Sequence, residues 1–336
     1  MEDRIEKQNK IKKILVEIVK KLPIFLFCVL FINGYNFMFG KENSIVGVII
    51  LMGLLILLGE DLGYKSNQAA GCIFFLFVVL AFMPKLSLIN PYLGLVINLV
   101  SLTLIMILSA HDLSSSGYLP FAMGYIMIQG YDVTGVLFTK RWVSLLIGGA
   151  LIAVVYLLSH KNNKNDMSII DLVKANNITS TRTQWYIRLV LTISLVMFVG
   201  DLANFPKAMW ISLTVLSLST PLVDEYKKRA VFRIPATIIG SVLVFSLFEL
   251  YVPNQYQVML ILVAGFLSMF ITSYFVKTIY NSFSALITAA LLFPAKEAVG
   301  IRIVANLIGV VVSVISVVLF SKIFDGISAK ENINRN

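Results

Sequence analysis

The chain has 336 residues, of which 58% are apolar and only 14% are charged. Soluble domains carry about 25% charged residues, so a soluble enzyme, a disulfide-rich secreted domain and a disordered chain are excluded. The formal net charge of +10 does not indicate nucleic-acid binding, because the basic residues lie mostly at the ends of apolar runs, where they fix membrane topology. The composition predicts an all-α polytopic membrane protein.

The first 21 residues form a basic segment, which holds seven basic residues between Arg4 and Lys21. Apolar residues recur in it at helical spacing, at Ile11, Ile14, Leu15, Ile18 and Val19. Two interpretations stay open: an amphipathic helix on the anionic inner leaflet, or a solvated cytoplasmic tail that fixes orientation. The apolar run from Leu22 to Phe39 has no small-x-small cleavage site, so we expect it to be a retained span.

Twelve apolar runs, each near the ~20 residues that a helix needs to cross a bilayer, predict twelve membrane spans. They lie near 22–40, 44–59, 67–84, 90–109, 117–133, 141–159, 185–203, 206–222, 230–252, 255–276, 278–294 and 300–322. The fifth and eleventh are the weakest, because they are short or carry Asp132 and Asn281. The polar stretch from His160 to Gln184 is long enough for a small cytoplasmic linker helix.

The distribution of basic residues predicts the orientation of the chain. A cytoplasmic amino terminus puts about 19 of the 28 basic residues in inside segments and about 5 in outside loops, as the positive-inside rule requires. Both termini are then cytoplasmic. The predicted organisation is a basic segment, a first six-helix repeat, a linker, a second six-helix repeat and a cytoplasmic tail, at 1–21, 22–159, 160–184, 185–324 and 325–336.

An internal repeat is predicted from matching segments in the two halves. The segment from Arg141 to Gly148 recurs from Arg302 to Gly309, with five of eight residues identical at a separation of 161. Six spans per repeat is an even number, so the two copies share one orientation and are related by an axis along the membrane normal. Five spans per half, if the two weak spans are discounted, would instead give inverted repeats.

The ninth predicted span carries a cationic face. Arg229, Arg233 and Thr237 are four residues apart and therefore share one side of a helix. A cationic, hydrogen-bonding stripe of this kind is what an organic anion needs. The alternative is that Arg229 and Arg233 extend to the inner membrane surface as topology anchors.

The eighth predicted span carries a polar face, formed by Trp210, Thr214, Ser217 and Pro221. Trp210 can line a pathway or belong to the interfacial aromatic belt, and hydroxyl groups on one face either line a pathway or join helices. The acidic pair Asp224 and Glu225 follows, and we assign it a tentative role in ion coupling.

Arg141 and Arg302 occupy equivalent places near the outer start of the last span of each repeat. They either flank the outer mouth of a pathway or anchor a helix end. Each is followed seven residues later by a glycine, Gly148 or Gly309, which allows two helix backbones to approach closely.

Catalytic and metal-binding motifs are absent from the sequence. It has no Walker glycine loop, His-Glu-x-x-His, Cys-x-x-Cys or Gly-x-Ser-x-Gly motif, and the two cysteines, Cys28 and Cys72, cannot form a metal or disulfide framework alone. We therefore expect no enzyme, no cofactor and no metal. Active transport would draw on an ion gradient or on a partner.

The second half resembles a known family. Trp210-x-x-x-Thr214-Val, a proline, Arg229-x-x-x-Arg233 and Ala236-Thr-x-x-Gly240 together resemble the signature of the fusaric acid resistance protein-like (FUSC) family. That family includes bacterial aromatic acid exporters and is related to plant aluminium-activated malate transporters. The resemblance covers residues 185–322 well and 23–159 only through the internal repeat.

This chain departs from the family pattern at several positions. Ala236 stands where the family usually has glycine, and the large cytoplasmic domain of many family exporters is missing. The first half has lost most of the polar signature, since the positions equivalent to Trp210, Thr214, Pro221, Arg233 and Thr237 are Ile45, Ile49, Ile56, Gln68 and Cys72. A symmetric site is therefore not expected.

The resemblance implies a transporter in the bacterial plasma membrane that exports aromatic or other organic carboxylates. Arg233 and Arg302, with Arg141, would attract the carboxylate, Trp210 would stack on an aromatic ring, and Thr214 and Thr237 would donate hydrogen bonds. The expected partners are a small organic anion and the lipid bilayer, with a homo-oligomer or an accessory export protein as further options. Two alternatives remain, a non-transporting membrane scaffold and an intramembrane enzyme of envelope synthesis.

Overall fold

A computed structural model describes residues 2–113, 115–163, 165–220, 223–247, 254–290 and 295–335. Within those ranges the chain is helical, and none of those residues lies in a β-strand. The α-helices are α1 Glu2–Phe39, α2 Ser44–Leu57, α3 Ser66–Ser87, α4 Pro91–Ser109, α5 Leu119–Gly130, α6 Gly135–His160, α7 Ile169–Lys174, α8 Thr181–Leu202, α9 Met209–Leu218, α10 Val223–Phe245, α11 Asn254–Ser268, α12 Tyr274–Ala290 and α13 Ala295–Arg335.

The helices follow the predicted spans in order. Each predicted span coincides with one helix, from α1 to α6 in the first half and from α8 to α13 in the second. The remaining helix, α7, is the predicted linker helix. It begins at a capping box in which Ser168 accepts from the backbone of Asp171 and the Asp171 carboxylate accepts in return, an arrangement that satisfies two otherwise unpaired amides.

Five helices in the described part of the chain are long and apolar enough to cross a membrane. They are Ser66–Ser87, Pro91–Ser109, Gly135–His160, Thr181–Leu202 and Val299–Gly326. Large apolar side chains such as Leu30, Val136 and Val231 are 70% or more exposed, which suits a surface that faces lipid. The chain is therefore a multi-pass membrane protein.

Three of the helices that overlap predicted spans have fewer than 15 residues and are shorter than those spans. With 14, 12 and 10 residues, α2, α5 and α9 are about 21, 18 and 15 Å long, against a hydrocarbon core of about 30 Å. The shortest of them is α9, in the eighth predicted span, although the fifth and eleventh spans were predicted to be the weakest. Its end is fixed by side chains that bind non-helical carbonyls: Trp185 donates to Ser219 at 2.9 Å and Arg188 to Thr220 at 2.9 Å.

The outermost domain boundaries fall inside continuous helices. α1 runs from Glu2 to Phe39 through Pro23, and α13 runs on to Arg335, so the helical chain is unbroken at residues 21 and 325. The charged residues there, mostly Lys and Glu, have high helix propensity, which explains why the helices continue into polar sequence.

The two halves pack their helices in similar pairs. In the first half α1 contacts α2, α2 and α3 contact α6, and α3 contacts α5; in the second α8 contacts α9, α9 and α10 contact α13, and α10 contacts α12. The halves meet where α4 packs on α8 and α5 packs on α9. The duplication itself stays a prediction.

The linker is held against the loop that joins α2 to α3. The Asp61 carboxylate accepts from Asn165 at 2.9 Å, from the Tyr156 hydroxyl at 3.1 Å, from the Gly63 amide at 2.9 Å and from Asn163. Burial raises the pKa of this carboxyl, but these hydrogen bonds outweigh burial and bring the pKa below its ordinary value. This contact joins residues about 100 positions apart and was not predicted from the sequence.

Candidate functional site

The polar face predicted on α9 meets three arginine side chains. Trp210 lies under the Arg302 guanidinium, and the Ser217 carbonyl accepts from Arg229. Between them, Thr214 contacts Asn306, which also binds Arg233. These contacts come from the last span, α13, and from α10. The predicted faces of the eighth and ninth spans therefore pack against each other. Their polar residues form one column along α9, which consists of Trp210, Thr214 and Ser217 with Arg302, Asn306, Arg233 and Arg229.

Arg233 lies at the middle of this column. It is ten residues into α10, about 15 Å from the first residue of the helix. Its side chain is 6% exposed, and its Nε donates to the Asn306 Oδ1 at 3.1 Å. The Thr214 hydroxyl shares its one proton between this oxygen and the Trp210 carbonyl, each at 2.9 Å. The Arg233 guanidinium is thus buried among helices.

Arg302 lies next along the column, toward the start of α13. Its guanidinium carbon is 5.1 Å from the centre of the Trp210 ring, a distance typical of a cation–π contact. Tyr131, which follows α5, lies beside both Arg302 and Trp210, and Lys207 lies over the Tyr131 ring at 4.8 Å. The column thus extends to the loop before α9, on the predicted outer side.

Arg229 marks the opposite end of the column. Its Nη1 donates to the Ser217 carbonyl at 3.4 Å, and its Nη2 pairs with Glu225 at 3.1 Å. This ion pair is partly exposed and i,i+4 on a helix, where such pairs contribute about 0.3–0.5 kcal/mol. Of the acidic pair assigned to coupling, Glu225 is therefore engaged with Arg229, whereas the Asp224 side chain lies outside the described residues.

Several buried donors beside the column have no hydrogen-bond acceptor among the described residues. They include the Arg302 Nε and the hydroxyls of Thr237 and Ser241, and the two hydroxyls continue the Arg233 face of α10. Leaving a buried donor unpaired costs about 1–3 kcal/mol. The site therefore has more donors than acceptors.

The two central arginines also lack a negative partner within the described part of the chain. The three ion pairs found there join Lys21 to Glu17, Lys85 to Asp132 and Arg229 to Glu225. Neither Arg233 nor Arg302 has a described carboxylate within 4 Å. A charge at the bilayer centre costs about 2.5–3.5 kcal/mol even on mild scales, so this pair is expensive to maintain.

Arg141 has a different environment, in the first half. Its Nε donates to the Asn43 Oδ1 at 2.9 Å, and its Nη1 donates to the carbonyls of Tyr131 at 2.7 Å and Ile128 at 3.4 Å. These bonds tie α6 to the end of α5. Tyr131 thus contacts Arg141 through its backbone and Arg302 through its side chain.

The place equivalent to the column in the first half is apolar. Ile49 and Cys72, at the positions of Thr214 and Thr237, belong to the main hydrophobic core, as does Leu145 at the position of Asn306. Gln68, at the position of Arg233, accepts from the Ile169 amide at 2.9 Å and so binds the linker. The first-half counterparts of Thr214, Thr237 and Asn306 are thus apolar, whereas Arg141, the counterpart of Arg302, keeps buried polar partners.

The glycines after the two arginines are in close contact with the second helix of each half. A Cβ on Gly309 would lie 2.6 Å from the Thr214 Cβ, and one on Gly148 would lie 2.5 Å from the end of Ile50. Gly309 also comes within 3.1 Å of the Ile211 carbonyl oxygen by the same measure, so a backbone lies close there, whereas Gly148 faces the Ile50 side chain.

Space around the site is limited. The crevice bordered by Thr237 and Asn306 has no room for a water molecule. A separate cavity of about 300 Å³ lies at the ends of α3 and α8 and is lined by Asp201 and Asn204. Asp132, by contrast, pairs with Lys85 at 2.6 Å. The convergence of Asp132, Asp201 and the arginines that an intramembrane enzyme would need is not seen among these side chains.

Sequence reasoning missed Asn306 and Tyr131, which belong to the site, and Asn43, which binds Arg141 outside it. For Asn306 a signal was available, because it stands four residues after Arg302, on the same helix face, where the first repeat has Leu145. Tyr131 and Asn43 lie at helix ends, and their contacts depend on packing between helices that are distant in sequence.

Residues 195–316 match the family described as fusaric acid resistance protein-like. The matched segment contains α9 and α10 and the part of α13 that carries Arg302 and Asn306. No curated protein and no solved structure matches the chain. The resemblance seen in the second half is therefore confirmed, and it indicates a membrane transporter-type protein.

Proposed function

We propose that this protein exports small organic anions, aromatic carboxylates in particular, across the bacterial plasma membrane. The observation that supports this most strongly is the buried pair Arg233 and Arg302, which has no carboxylate partner among the described side chains. Two unpaired buried cations are unfavourable for folding. An anion that binds between them offsets this cost.

The neighbouring groups fit a carboxylate attached to a ring. The unpaired Arg302 Nε and Thr237 hydroxyl can both donate to carboxylate oxygens, and hydrogen bonds to a charged acceptor are the stronger kind. Trp210 offers an aromatic face. The family name refers to resistance to fusaric acid, and resistance by export would agree with this chemistry.

The arrangement of the halves also supports transport. The helix pairs repeat between α1–α6 and α8–α13, and a pathway at the interface of two parallel repeats is a common transporter design. We place the anion pathway along α9, which packs on α5 of the first half.

Anion flux into liposomes tests the proposal. Purified protein is reconstituted, and uptake of labelled benzoate is compared between the wild type and Arg233→Gln. We expect the substitution to lower the initial rate at least tenfold, because one charged contact of about 1.4 kcal/mol corresponds to a factor of ten. The matched control is Gln68→Ala, at the equivalent place in the first half, which should retain wild-type flux.

Equal benzoate flux through the wild type and Arg233→Gln would refute a role for this arginine. Equal flux of benzoate and uncharged benzamide would refute anion selectivity. A wild type that moves no carboxylate under either direction of gradient would favour the membrane scaffold.

A further inference from the structure

Asn306 occupies the centre of the polar column. It is 1% exposed, and its Oδ1 accepts from the Arg233 Nε at 3.1 Å and from the Thr214 hydroxyl at 2.9 Å. Its Nδ2 donates to the Arg302 carbonyl at 2.8 Å. These three bonds fix the amide orientation, since exchanging its oxygen and nitrogen would place donors against donors.

The amide oxygen therefore holds the place that a carboxylate oxygen would take. It accepts from one guanidinium and one hydroxyl, which are two of the groups assigned to the anion. A neutral amide is the weaker acceptor of the two, because a carboxylate also pairs its charge with the guanidinium and can accept two parallel hydrogen bonds from it. A carboxylate that reaches Arg233 can therefore replace Asn306 as its acceptor.

A comparison with Arg141 in the first half indicates that the bond between Arg233 and Asn306 can be broken without unfolding a helix end. Arg141 also donates its Nε to an asparagine, Asn43, at 2.9 Å, but its Nη1 is additionally bound to two backbone carbonyls. Backbone carbonyls at a helix end cannot move away without unfolding that end. The acceptor described for Arg233 is a side chain, which can change rotamer.

We propose that Asn306 is an internal surrogate for the transported anion and closes the pathway between Arg233 and Thr214. This inference rests on the proposed function and adds a regulating residue to it. The tight packing at the crevice follows directly, because the amide fills the space between α9, α10 and α13. Displacing the amide is then part of every binding event and weakens the apparent affinity for the anion.

Two substitutions test the surrogate role by opposite effects. Asn306→Ala removes the competing acceptor, so the KM for benzoate in liposome flux should fall about three- to tenfold while the thermal midpoint of the purified protein falls. Asn306→Asp places a permanent carboxylate beside Arg233, so the midpoint should rise, benzoate should no longer shift it, and flux should fall at least tenfold.

The matched control is Asn43→Ala, which removes the asparagine from the other buried arginine. It should lower the thermal midpoint and leave the KM for benzoate unchanged. A KM for Asn306→Ala equal to that of the wild type would overturn the surrogate role, and so would an Asn306→Asp protein with wild-type flux. The Asn306→Asp result stands alone if Asn306→Ala does not fold.

The failure of this inference differs from failure of the proposed function. A wild type without carboxylate flux would overturn both, whereas wild-type flux that depends on Arg233 but is indifferent to Asn306 would overturn only the surrogate role.

Discussion

Buried arginines in this protein have two contrasting environments. Arg141, 1% exposed, donates from Nε and Nη1 to one side-chain and two backbone acceptors and leaves its Nη2 unpaired, so most of its charge is spread over fixed dipoles. Arg302, 5% exposed, faces the Trp210 ring with an unpaired Nε. Arg233 lies near enough to Arg302 for their like charges to repel. The environment of Arg141 stabilises the fold. The environment of Arg302 and Arg233 leaves hydrogen-bond donors and positive charge available to bind a ligand.

This contrast predicts opposite effects on stability. Arg302→Gln should raise the free energy of unfolding by about 1 kcal/mol, because it removes a buried cation with an unpaired donor. Arg141→Gln should lower it by about 2–4 kcal/mol, because three acceptors lose a charged donor. Thermal unfolding of the purified variants in one detergent measures both. A loss of stability in Arg302→Gln comparable to that in Arg141→Gln would contradict the distinction.

At this scale the sequence predicts which residue types are unusual but not what they contact. The four-residue spacing of Arg229, Arg233 and Thr237 correctly places them on one face. The spacing cannot reveal that Asn306 lies between Arg233 and Thr214, because 73 residues separate Asn306 from Arg233. Likewise, equivalent positions in a repeat do not imply equivalent roles, since the surroundings of Arg141 and Arg302 differ.

Single helices in the second half are positioned by close backbone contacts. A Cβ on Gly240 in α10 would lie 2.6 Å from the Ile279 carbonyl oxygen of α12. A backbone atom cannot move aside as a side chain can. The position of α10, and hence of Arg233, therefore depends on this glycine.

Gly240→Ala should separate α10 from α12 and lower the free energy of unfolding by about 1–3 kcal/mol, as overpacking does. Benzoate flux should fall as well, because Arg233 moves with the helix. The matched control is Gly71→Ala in α3, where an added Cβ has no neighbour within 4 Å and alanine has higher helix propensity by about 1 kcal/mol. Stability loss of equal size in both variants would argue against a specific contact at Gly240.

Helix order was predictable from apolar periodicity, whereas helix length was not. The sequence of α9 mixes apolar residues with Ser212, Thr214 and Ser217 and continues directly into Ser219 and Thr220. Such residues are tolerated inside membrane helices when they bond to the helix itself. Here Ser219 and Thr220 instead present carbonyls to Trp185 and Arg188. The end of α9 is therefore set by tertiary contacts, which cannot be predicted from a count of apolar residues.

For the whole molecule, six membrane crossings on each side of the linker would place the linker and both ends of the chain on one membrane face. Both parallel repeats and a cytoplasmic amino terminus depend on this parity. The predicted orientation puts the loop before α7 inside and the loop after α8 outside.

Cysteine labelling tests that orientation. In a background without Cys28 and Cys72, the variants Ala203→Cys and Asn162→Cys each carry one exposed thiol outside a membrane span. A membrane-impermeant maleimide should label Ala203→Cys in intact cells and Asn162→Cys only after the cells are opened. Labelling of Asn162→Cys in intact cells would instead require an odd number of spans in the first half, and with it inverted repeats.

The 10-residue length of α9 has a consequence for the energy source. A helix about 15 Å long covers only half of a hydrocarbon core of about 30 Å, so where water reaches both of its ends, the transmembrane voltage falls across the layer that contains Arg233 and Arg302. An interior-negative potential of 100 mV expels each monovalent anion with about 2.3 kcal/mol, equivalent to a roughly 50-fold concentration ratio. An exporter built around this layer can therefore run on the membrane potential alone, without hydrolysing nucleotide.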